Sequence, residues 1–176
     1  MRLTVRSSAV LRVLRYFVLS FFLVMLQTVV LPRVFPGALP DLMLPAVISA
    51  AMGEDERIAA LFGAFGGFFL DAAGTAGLSL SPLYYMLIGY VCGVLIRFWL
   101  RRNFLSFMIY VAAATFLTRP VVTYVLLQFS QPDTPLNRAI SDILLPEALL
   151  TVLAAPLLYL AVLLPLRSAM RRSMKN

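Results

Sequence analysis

Apolar runs of helical length recur along the chain, separated by short polar or proline-bearing breaks. Tyr16 to Leu31 is the first, and Leu83 to Leu100, with Arg97 near its end, is another. Asn103 to Phe129 is long and interrupted by Arg119-Pro120, and Ile143 to Leu166 is the last. At about 1.5 Å of rise per helical residue, runs of this size match a hydrocarbon layer about 30 Å thick. Between the first two runs lie Asp41 to Met52 and Ile58 to Leu70, separated by Gly53-Glu54-Asp55-Glu56-Arg57. A dozen helical residues rise only about 18 Å, so this stretch reads either as a re-entrant helical hairpin or as two spans whose ends borrow flanking residues. The two-span reading predicts six helices, over approximately 13–31, 40–53, 57–72, 81–100, 103–129 and 143–166. The fold class expected is all-α, a polytopic membrane helix bundle forming one integral membrane domain over residues 1–176.

Composition sharpens this picture. The chain is 61% apolar and 13% charged, whereas soluble domains are about half apolar and about a quarter charged. A water-soluble domain of 176 residues could not hide that much hydrocarbon, so the bilayer is the expected solvent. Cys92 is the only cysteine and there is no histidine. A disulfide framework, zinc ligation and histidine acid–base chemistry are thereby excluded.

The net charge of +7 is read from where the cations lie. Arg2, Arg6, Arg12, Arg15, Arg57, Arg97, Arg101, Arg102, Arg167, Arg171, Arg172 and Lys175 fall on the side of the termini if six helices alternate, and only Arg33 and Arg138 fall on the other. An excess of that size on one side orients both termini to the cytoplasm by the positive-inside rule. A basic stripe of the kind that binds nucleic acid is not what these positions form. The first run has a basic start, but it ends at Pro32-Arg33 without a small-residue cleavage site, so it is expected to remain as helix one. Nothing is left over for a soluble domain: Pro32 to Pro40 and Ser130 to Ser141 read as loops, and the tail after Leu166 is basic.

Two features inside the runs are informative. Gly63 and Gly67 are four apart on helix three, with Ala59 one turn earlier, and Gly89 and Gly93 are four apart on helix four. Small residues at that spacing let membrane helices approach backbone to backbone, so helices three and four are expected to cross closely or to offer this face to a partner. The second feature is charge at depth. Asp71 lies roughly 21 Å up helix three from Arg57, and Arg119 roughly 22 Å up helix five from Phe104. Glu147 near the outer end of helix six and Asp41 opening helix two also fall in the outer half. Asp41 follows Pro40 at a helix N-terminus, where the helix dipole favours a carboxylate. Arg119 is expected to pair with Asp71 or Glu147, either as a clamp between helices or as part of a polar path.

Catalytic constellations are sparse. Tyr84, Tyr85, Asp133 and Asp142 are present, but no serine has a base, no nucleotide loop occurs, and no carboxylate cluster is spaced to hold magnesium. The chain is read as a non-enzyme without cofactor or metal.

Pro40-Asp41 before an apolar helix, then Gly63-x-x-x-Gly67-x-x-x-Asp71, Gly74 and Gly77 in an outer turn, and Gly89-Tyr90-x-x-Gly93 resemble the MreD family of rod shape-determining membrane proteins. The turn after Asp71, Ala-Ala-Gly-Thr-Ala-Gly-Leu, is shorter than the serine-glycine turn of that family. The resemblance implies a multi-pass scaffold of the bacterial cytoplasmic membrane that guides lateral peptidoglycan synthesis. The partners it implies are an MreC-like membrane protein, MreB, RodA and a class B penicillin-binding protein. The alternative is the substrate-binding membrane subunit of a vitamin-type uptake transporter. Such subunits dock through small-residue pairs on helix one, whereas Tyr16 to Leu31 contains Ser20 but neither alanine nor glycine.

Overall fold

A computed structural model describes residues 2–34, 40–74, 80–98, 103–130 and 145–173, with side chains described over 13–34, 40–74, 80–98, 103–118 and 146–162. The described residues form six helices and no strand. Helix α1 is continuous through Arg2–Met25, a π-helical turn at Leu26–Val30, and Leu31–Val34. It is followed by α2 (Met43–Gly53), α3 (Glu56–Ala72), α4 (Ser81–Phe98), α5 (Phe104–Ser130) and α6 (Leu145–Ser173).

Three boundaries differ from the sequence expectation. Helix α1 begins at Arg2 and α6 runs to Ser173, both well outside the apolar runs. Hydropathy marks the part of a helix that needs an apolar environment, while the hydrogen-bond ladder continues through good helix formers such as arginine, alanine and methionine. Helix α1 also passes Pro32, because the missing N–H falls directly after the π turn, where the ladder returns to its ordinary spacing. Helix α5 runs unbroken through Arg119-Pro120, as the single helix expected over 103–129. An apolar helix interior tolerates proline where neighbouring groups take up the backbone acceptor it leaves unpaired.

Helix α2 is the centre of the molecule. All eleven of its residues are buried, and it packs against α3, α4, α5 and α6 and touches α1. Its sequence, Met-Leu-Pro-Ala-Val-Ile-Ser-Ala-Ala-Met-Gly, has no polar face to turn outward. At eleven residues it rises only about 16 Å. The chain reverses through Glu54 and Asp55 into α3, which rests on α1 through an aromatic seam. Tyr16 meets Phe62 at 5.1 Å, Phe17 meets Phe69 at 5.1 Å and Phe21 meets Phe69 at 5.4 Å between ring centroids. Such tilted and edge-on pairs add about 0.5–1.5 kcal/mol each beyond area burial. Helix α3 ends at Gly74, whose φ of +71° belongs to the left-handed region glycine enters without steric cost.

The outward faces are apolar. Val18, Phe22, Phe68, Leu83, Leu87, Leu105, Leu117, Leu153 and Leu157 are each more than half exposed. By length and composition two helical stretches can cross a membrane, Val13–Val34 and Ser81–Phe98. Met43–Gly53, Phe104–Thr118 and Pro146–Val162 are shorter apolar stretches among the described residues.

Candidate functional site

Two arrangements surround the α2–α3–α4 core: a polar knot at the start of α2, and a charged cavity at its end. The knot forms because the chain enters α2 through Pro40-Asp41. Four backbone N–H groups of a helix start lack partners in the helix itself, and burial makes leaving them bare costly. Asp41, fully buried, supplies two acceptors at once. Its Oδ1 receives the backbone N–H of Met43 at 3.0 Å and of Leu44 at 3.2 Å. Its Oδ2 receives the hydroxyl of Tyr85, from α4, at 2.8 Å. The N–H of Leu42 donates to Gln27 Oε1 at 3.1 Å, and Gln27 lies in the π turn of α1. The N–H of Asp41 donates to Thr151 Oγ1 at 2.9 Å, and Thr151 donates in turn to the carbonyl of Glu147 at 2.8 Å. Side chains from α1, α4 and α6 therefore converge on the first turn of α2. The carboxylate is balanced by the helix dipole and by donors fixed in place, which is an anchoring chemistry.

Gly63, Gly67, Gly89 and Gly93 all lie at the crossing of α3 and α4. A Cβ on Gly63 would overlap the carbonyl of Tyr85, and one on Gly67 would overlap Ser81. One on Gly89 would lie 2.6 Å from the carbonyl oxygen of Ala59, and one on Gly93 2.8 Å from Cα of Glu56. Each close neighbour is backbone and cannot rotate away. Gly66, on the adjoining face, makes room for the Met43 side chain of α2. The crossing also holds Tyr85 in register with Asp41, since the backbone of Tyr85 is what Gly63 abuts.

No family model, curated protein or solved structure matches this chain.

The other charges predicted to be buried are Asp71, Glu147 and Arg119. Asp71 lies in the last turn of α3, and both its carboxylate oxygens are shielded from solvent without a hydrogen bond among the described residues. Glu147 is half-buried in the first turn of α6 and joins the knot through its backbone carbonyl. The side chain of Arg119 lies outside the described residues, and with it the expected pairing to Asp71 or Glu147.

Sequence reasoning did not single out Gln27 or Thr151, and it noted Tyr85 without assigning it a partner. Gln27 carried a usable signal, being an amide within the apolar run Tyr16 to Leu31, where unpartnered polar groups are expensive. Thr151 carried none, because a threonine in a helix satisfies itself on the preceding turn.

At the other end of α2 a cavity of about 510 Å³ opens between the α2–α3 turn and the end of α4. Glu54, Asp55, Glu56, Arg57, Gly93 and Arg97 line it. Two ion pairs frame it: Arg97 to Glu56 at 3.1 Å and Arg15 to Glu54 at 3.9 Å. The first is largely exposed on the arginine side, so it contributes little to stability. Their effect is to fix where the charges stand around the cavity.

Proposed function

We propose that this chain is a multi-pass protein of the bacterial cytoplasmic membrane, with both termini cytoplasmic. In this reading it serves as a non-enzymatic, MreD-like scaffold of the cell-elongation machinery. The observation that carries the reading is the role of the stretch Pro40 to Gly93, on which the resemblance rests: it supplies the anchored α2 and the glycine-mediated α3–α4 crossing. Apolar side chains on the outside support a lipid environment, since a folded chain in water rarely exposes so much contiguous hydrocarbon. Within a bilayer the half-length α2 is acceptable because protein surrounds it and its first N–H groups have partners.

A scaffold of this kind works by offering helix faces to the transmembrane helices of its partners, an MreC-like protein first and the MreB, RodA and penicillin-binding protein assembly with it. The exposed faces of α4, α5 and α6 are the surfaces available for that contact. Depleting the protein in its rod-shaped host is expected to turn rods into spheres while uptake of small nutrients stays normal. Cells that keep their rods but stop accumulating a vitamin would instead identify a transporter subunit.

A further inference from the structure

The cavity at the α2–α3 turn is not used by the scaffold reading, and its lining is unusual for this chain. Of the eight acidic residues in the sequence, Glu54, Asp55 and Glu56 stand here together, and with Arg57 and Arg97 they line a cavity of about 510 Å³. Ligand pockets commonly enclose about 300–1,000 Å³. Glu56 and Arg97 are tied to each other, and Glu54 is tied to Arg15. Asp55 and Arg57 are exposed on the cavity wall, one of each sign. A ligand that satisfies both must carry a cation and an anion.

The surroundings add a second requirement. Phe98, next to Arg97, is 74% exposed, and Leu95 on α4 and Leu61 on α3 also show large apolar surface. The cavity therefore lies where the charged end of the bundle meets its apolar wall. We propose that it binds the headgroup of phosphatidylethanolamine, with the acyl chains running along α3 and α4. The phosphate faces Arg57, whose guanidinium group matches phosphate oxygens. The primary ammonium donates to Asp55. A trimethylated ammonium keeps the charge but has no N–H to donate, so phosphatidylcholine loses the hydrogen bonds to the carboxylate, and a glycerol headgroup carries no cation, so phosphatidylglycerol loses the ion pair as well.

The inference rests on the membrane reading, and the test separates the two. The full-length protein is purified in nonionic detergent and offered an equimolar mixture of phosphatidylethanolamine, phosphatidylglycerol and phosphatidylcholine, and the retained lipid is counted by native mass spectrometry. Phosphatidylethanolamine is expected to be retained several-fold above the other two. Asp55→Asn and Arg57→Gln, both on exposed side chains, are each expected to reduce that preference about two- to fivefold, the range of one exposed ion pair, with an unchanged melting temperature. Equal retention of the three lipids, or a preference that survives in the double variant, overturns the headgroup site while leaving the membrane reading intact. A chain that stays folded and monodisperse after detergent removal overturns the membrane reading itself.

Discussion

At the scale of single residues, Asp41 holds the position of greatest consequence. Removing its carboxylate takes away the acceptor that two backbone donors and one phenol hydroxyl use in the core, and an unsatisfied buried group costs about 1–3 kcal/mol. Asp41→Ala is therefore expected to destabilise the protein by about 3 kcal/mol or more, read from thermal melting in detergent. Asp41→Asn keeps an oxygen acceptor for the helix start and is expected to cost about 1 kcal/mol. If the two variants melt alike, the hydrogen bonds described at Asp41 do not anchor α2. Asp71 poses a different question, because its carboxylate oxygens are shielded and receive no hydrogen bond from the described residues. Exchanging charges in Asp71→Arg with Arg119→Asp is expected to restore stability lost in either single variant, since removing one partner of a buried pair costs about 3–5 kcal/mol. A double variant no more stable than the singles rules out direct pairing.

At the scale of elements, the α3–α4 crossing depends on absent side chains. Gly67→Leu and Gly63→Val would push backbone away from backbone, and overpacking of that kind costs about 1–3 kcal/mol or more. Gly74 offers a contrast: nothing lies within 4 Å of a Cβ there, so Gly74→Ala is expected to cost only about 1 kcal/mol, the left-handed penalty. Melting curves of these three variants distinguish steric contact from backbone conformation. Much of this level was legible in advance. The two glycine pairs could be read from spacing, and six helices from hydrophobic runs, because both depend on local sequence. The extent of α1 and α6 could not be read, because a helix leaves no hydropathy signal beyond its apolar run. Nor could the meeting of Gln27, Tyr85 and Thr151 at Asp41, which is set by how α1, α4 and α6 pack around α2 rather than by any motif.

At the scale of the whole molecule, the proposed membrane topology makes a single prediction. Reporter tags at the two ends are expected to be active only on the cytoplasmic side, together with a cysteine probe placed at Asp55. Finding the two ends on opposite faces contradicts the six-span arrangement. Helix α2 has a further consequence for how the protein is made. Its amino end is tied to Thr151, 110 positions later in the chain. A ribosome must therefore finish nearly the entire polypeptide before the last group that holds this segment emerges. Until then the eleven residues of α2 wait on an unfinished bundle, and nascent chains cut before α6 are expected to be open to proteases at residues the mature protein hides.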